Sequence, residues 1–180
     1  ALRSYISANG LLSRGMYELA EKDYREFLAA NPDHAKAMTA RYGLGVCLFR
    51  EKQFDQAAKE LAGPAGAKGF EFAPDSRLII AQCELAQGRY SPAASAIDRL
   101  LRDFPEHACA ADAAALLVEA RYREGKPEAA ISACNDLAKK WPKAPGRDRA
   151  DTFAALSEMN QKDYAAALRR LDSLLTNSPN

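Results

Sequence analysis

The chain has 180 residues, 48% of them hydrophobic and 27% charged, a balance that fits one ordinary globular domain or one short repeat array. A net charge of +1, from 25 basic and 24 acidic side chains, provides no basic stripe for nucleic acid. The most apolar stretch, Ala108 to Val118, is mostly alanine, contains Asp112 and is too short to span a bilayer, so no transmembrane segment is expected.

The chain starts at Ala1, already in helical pattern and without a signal peptide, so we expect a processed chain or a fragment of a longer one. The first predicted pair of helices covers 2–14 and 17–30. Gly15 turns the chain between them, Tyr17 and Ala20 mark the second helix, and Pro32 stops it. The second pair is placed at 35–51 and 54–62, with Lys52 at the turn and Phe54 and Ala57 as the marks. After Leu61 the sequence reads AGPAGAKGFEFAPDS, and Pro64 with three glycines predicts a shortened helix and an irregular loop over 63–74. There Phe70 and Phe72 either tuck the loop back onto the array or present a partner site.

The third pair, 75–87 and 90–103, repeats the first pattern with Gly88, Tyr90, Ala93 and Pro105. The fourth, 107–124 and 127–140, has Gly125, then Pro127 in place of the aromatic, Ala130 and Pro142. The fifth, 148–161 and 164–176, has Lys162 at its turn, then Tyr164, Ala167 and Pro179. The marks recur at spacings of 37, 36, 37 and 37 residues, so five repeats fill the chain. The recurring alanines are expected where the two helices of a repeat cross closely.

This pattern resembles the tetratricopeptide repeat family over essentially the whole chain. In the first repeat Leu11, Gly15, Tyr17, Ala20, Tyr24, Leu28 and Pro32 fall in the family register, and the second carries Leu44 with Gly45. The resemblance implies an all-α, right-handed superhelical solenoid. It is expected to form a single domain over 1–180, with repeats at about 1–34, 35–74, 75–107, 108–144 and 145–180. The family period is about 34 residues. The extra residues here, such as Asp33–Lys36, should lengthen the first helix of the next repeat. The longer period, with segments such as FLAANPDH and LLRDFPEH, is similar to a bacterial envelope subset, the outer-membrane assembly lipoproteins and the periplasmic coordinator of the Tol-Pal system. That similarity implies the periplasm or cell envelope.

Little in the sequence carries chemistry, and neither a catalytic residue nor a cofactor or metal site is expected. Ser-His-Asp ordering with supporting context, GxSxG, P-loop and GxGxxG patterns are missing. His34 and His107 follow proline stops as PDH and PEH and read as turn residues. Cys47, Cys83, Cys109 and Cys134 lack metal spacing and read as buried free thiols. The basic run KKWPKAPGRDR, with Lys139, Lys140, Lys143, Arg147 and Arg149 around Trp141, fits a helix end followed by a packing aromatic.

The family register places each repeat's first helix on a concave face that captures a protein or peptide partner. Tyr5 and Asn9 come from the first repeat, Tyr42, Val46, Phe49 and Arg50 from the second. Leu78 and Gln82 come from the third, and Glu119, Tyr122 and Arg123 from the fourth. For Tyr42 and Phe49 the competing reading is packing between neighbouring helices. The expected function is a protein-interaction scaffold. The alternative is a structural module that self-associates through its ends or convex face.

Overall fold

The computed structural model describes residues 2–177, without the side chain of Asn177. Ten helices follow one another in these residues, α1 (Leu2–Ser13), α2 (Tyr17–Ala30), α3 (Ala37–Arg50), α4 (Phe54–Gly66), α5 (Ala73–Ala86), α6 (Tyr90–Asp103), α7 (Ala110–Arg123), α8 (Pro127–Lys140), α9 (Arg147–Asn160) and α10 (Tyr164–Asn177). The described residues contain no strand, and no helix among them is long and apolar enough to cross a membrane. The fold is an all-α repeat solenoid. It divides into two compact units, Ala1–Gly88 and Arg89–Asn180.

The tight turns have one geometry. Gly15, Gly88 and Gly125 adopt positive φ, as the sequence implies, and so do Lys52 and Lys162, at 62° and 64°. At Lys52 the amide donates to the carbonyl of Phe49, and Gln53 donates to Leu48 at 2.8 Å. The same two bonds recur at Gly15, Gly125 and Lys162. They satisfy carbonyls that the helix end leaves open, and this holds lysine in a conformation that suits glycine.

Between repeats the connectors are six residues each, 31–36, 67–72, 104–109 and 141–146. The long irregular loop expected over 63–74 is therefore absent. Helix α4 runs on to Gly66 with Pro64 inside its last turn. Pro64 occupies the place of Phe27, Leu100 and Leu137, is almost wholly buried as they are, and earns its position by packing. Only two residues of the helix follow it, so the carbonyl it leaves without a donor lies in the last turns. Helix α4 is one residue shorter than its counterparts, which accounts for the single 36-residue spacing. Asp33–Lys36 lie in a connector, and α2 and α3 have 14 residues each, so the first helix is not lengthened.

The recurring alanines are packing sites. Ala20, Ala57, Ala93 and Ala130 are fully buried and Ala167 nearly so. In the first unit, large side chains enter notches on α3. A Cβ on Gly43 would lie 2.4 Å from Cζ of Tyr24, and one on Gly45 would lie 2.4 Å from Cγ of Leu61. Tyr24 of α2 and Leu61 of α4 hold equivalent repeat positions, so the two glycines seat the same residue of the helices on either side. Around them Ala8, Phe27, Leu44, Cys47, Leu48 and Cys83 complete the core. In the second unit α7 packs directly against α9. Its core is Ala114, Ala115, Val118, Ala130, Cys134, Leu137, Ala150 and Ala154, with Trp141 and Phe153 packed on the edge.

Candidate functional site

In the first unit most of the expected partner-facing side chains are engaged within the fold. Tyr5 packs on Tyr24 and Phe27, with ring centroids 6.5 and 5.3 Å away. Asn9 accepts a hydrogen bond from the Tyr24 hydroxyl at 2.6 Å. Tyr42 stacks flat on Phe72, 4.6 Å between centroids, and Phe70 meets Phe72 edge-on. The connector aromatics thus tuck back onto the array. Phe49 packs on Phe54 and joins the core edge. Val46 and Gln82 are half-buried and Leu78 is buried. Asn9 and Arg50 of this set are exposed, and Arg50 has no ion pair among the described residues.

In the second unit the expected residues meet around one carboxylate. Glu119 stands in an alanine-rich run of α7, where its side chain is only 7% exposed. Its Oε1 accepts from Nε of Arg123, one helical turn on, at 2.8 Å. Its Oε2 pairs with Nη2 of Arg149 on α9 at 2.6 Å. Phe153 lies beneath both cations, 5.5 Å from the Arg123 guanidinium and 6.0 Å from that of Arg149. Tyr122 packs on Phe153 at 5.3 Å, and Arg123 also stands 5.9 Å from the ring of Tyr90. The bond to Glu119 holds the Arg123 pKa above its ordinary value against the opposing effect of burial.

A second charged cluster, which sequence reasoning missed, joins α8, α9 and α10. Arg170 donates to Glu158 at 2.7 Å and to Asp151 at 3.1 Å. Asp151 also accepts from Arg147 at 2.5 Å and from the Cys134 thiol at 3.2 Å. Asp151 and Glu158 are both buried, and Arg170 satisfies them from the facing helix. A cleft of about 300 Å³ opens beside this cluster, lined by Arg147, Arg169, Arg170 and Ser173 among others. The visible signal was the run of charges on α9 at helical spacing, Arg147, Asp151 and Glu158; their partner Arg170 lies on the next helix.

The basic run around Trp141 is dispersed by the fold. Lys140 bonds Glu106 and the Pro105 carbonyl, Arg147 goes to Asp151 and Arg149 to Glu119. The histidines act in their own turns, where Nδ1 of His34 accepts the Lys36 amide and Nδ1 of His107 the Cys109 amide. All four cysteines are buried free thiols. Burial, aided by Glu51 at Cys47 and by Asp151 at Cys134, pushes those two thiols up to about 12, which disfavours the reactive thiolate.

The family model described as tetratricopeptide repeat matches residues 7–69 and 80–145. No curated protein sequence matches the chain. Among solved structures, MamA from Desulfovibrio magneticus RS-1 is similar with a TM-score of 0.81 at 15% identity, covering 96% of this chain and 92% of that one. A kinesin light chain with nearly identical TPR-like repeats, from Podosopora anserina, aligns with a TM-score of 0.75 at 14% identity, over 97% of this chain and 93% of its own. YrrB, a TPR protein with an unusual peptide-binding site, gives 0.75 at 19% identity, over 96% and 84%. At these identities the structures establish the fold alone, and the similarity to the bacterial envelope subset gains no support from them. The family match covers well over half of the chain, and the turns, connectors and buried alanines repeat in phase with it; the chain belongs to the tetratricopeptide repeat family.

Proposed function

We propose that the chain is a protein-interaction scaffold, not an enzyme, and that it holds a segment of a partner protein on the first helices of its repeats. Family membership supports the general role, since repeats of this kind serve as interaction scaffolds. The observation that carries the reading here is the pair of arginine-bearing helix ends, exposed Arg50 on α3 and the Glu119-anchored Arg123 on α7. Arginine and aromatic side chains anchor protein interfaces at low entropic cost. YrrB offers a parallel as a peptide-binding member of the same fold.

A peptide array spanning varied sequence chemistry tests the proposal. Arg50→Glu should weaken capture of bound peptides by roughly tenfold, with an unchanged melting curve, because an exposed arginine contributes little to stability. Binding that survives this change but is lost when connector 67–72 is altered would move the partner to Phe70 and Phe72.

Self-association is a second reading, supported by α10. Tyr164, Leu168 and Leu175 are 59%, 62% and 79% exposed and lie on one helical stripe with Leu171. An unpartnered apolar stripe of this kind marks an association surface. Sedimentation over a range of concentrations separates the readings, since self-association predicts a mass that rises with concentration and a monomer sinks it.

A further inference from the structure

The Glu119 cluster supports a more specific statement, which rests on the scaffold reading. We propose that Arg123 and Arg149 form a preset fork, centred on Glu119 and floored by Phe153, that binds the carboxylate side chain of an acidic segment in a partner protein.

Charge balance is the first argument. Two guanidiniums face one carboxylate, so the cluster keeps one unit of positive charge when empty. One bound carboxylate neutralises it. A phosphate would bring nearly two negative charges up to a buried Glu119 and overshoot. Fixation is the second argument. Glu119 uses a different oxygen for each arginine, and the ring of Phe153 lies under both. Holding a flexible side chain in place before binding removes much of the entropic cost of capture. Access is the third. The Arg123 and Arg149 side chains remain 43% and 62% exposed although Glu119 beneath them is buried. Arg123 spends Nε on Glu119 and Arg149 spends one Nη, so each guanidinium keeps further N–H groups beyond that bond. Planar forks of this kind recognise carboxylates in two-point geometry.

The experiment uses the full chain and the guanidinium Nε–Hε signals of Arg123 and Arg149 in nuclear magnetic resonance spectra. The probes are an oligo-glutamate peptide, an uncharged glycine–serine peptide of equal length, and inorganic phosphate. Oligo-glutamate should shift both signals in a salt-sensitive way, and the uncharged peptide should shift neither. Arg149→Gln should weaken oligo-glutamate binding about tenfold without lowering the melting temperature, because Glu119 keeps Arg123. Phe153→Leu should weaken it less while both arginine signals still respond. Unmoved signals, or full affinity in Arg149→Gln, would overturn the proposal. Phosphate acting as strongly as the peptide would reduce the cluster to a simple anion site and overturn it too. If array peptides bind through Arg50 while Arg123 and Arg149 stay silent, the scaffold reading survives and this inference falls. If no array peptide binds at all, both fall.

Discussion

Tyr24, Phe27, Leu48 and Leu61 fill the core of the first unit, whereas the second is built largely of alanine and closes over Glu119, Asp151 and Glu158. The helices and turns repeat, yet what holds them together differs. In the first unit, large side chains enter notches that only glycine leaves open. In the second, small side chains bring helices close, and arginines from facing helices satisfy the buried acids. One repeat fold therefore accepts two solutions to the same packing problem, and they should fail in different ways. Volume changes should damage the first unit, and loss of the Arg170 charge the second.

The largest expected effect is in the second unit. Arg170→Met strips Glu158 of its arginine and leaves Asp151 with Arg147 alone while both acids stay buried, and should cost about 3–5 kcal/mol in denaturant unfolding. A loss under about 1 kcal/mol would show that water replaces the arginine. Next comes the first unit, where Gly45→Ala forces Leu61 away from α3 and should cost about 1–3 kcal/mol. An unchanged melting temperature would mean that α4 shifts freely.

The two units should also differ in how pH acts on them. Burial, together with neighbouring Glu21 and Glu18, raises the pKa of Glu51 in the first unit above its ordinary value of 4.5. A raised carboxyl binds its proton more tightly when folded, so its contribution is present below pH 4.5 and is lost as pH rises past that value. In the second unit, bonds from Lys126 and then Arg121 hold Glu124 down at about 2, against the effect of burial. That contribution is present above 4.5 and is lost as pH falls towards 2. Melting of Glu51→Gln between mildly acid and neutral pH should fall less steeply than in the parent, and a parallel curve would contradict the assignment. Lys162→Gly has a smaller effect, of opposite sign to the damage above. It relieves a lysine at positive φ and should add about 1 kcal/mol or less.

How far this contrast was legible in the sequence depended on how local its causes were. The aromatic–alanine marks and turn glycines placed all ten helices, because each mark acts within its own turn or crossing. Segment 63–74 misled for a physical reason. A proline and three glycines speak for a loop by propensity, but burial of Pro64 at a core position outweighed them. The lysine turns were located, but their positive φ followed only from the paired hydrogen bonds at the helix end. For the candidate site, the spacing of Glu119 and Arg123 was on view, in a run rich in alanine and leucine. The third member, Arg149, lies on another helix and could not be paired from one sequence. The same spacing changes the test that suits Arg123. Reversing its charge would set a carboxylate against buried Glu119, so Arg50 is the cleaner position for a charge-reversal experiment.

One ion pair recurs with its signs exchanged. Arg41 is the fifth residue of α3 and Glu60 the seventh of α4, and they pair at 3.3 Å. Asp151 and Arg170 hold the same two places in α9 and α10, and pair at 3.1 Å. Repeat proteins risk a particular error during folding, in which a helix docks against the right surface of the wrong repeat. Here such an exchange between the second and fifth repeats would set Arg41 against Arg170, or Glu60 against Asp151. Opposite polarity at one shared position thus sets like charges together in the mispaired arrangement, a penalty that hydrophobic packing alone would not impose.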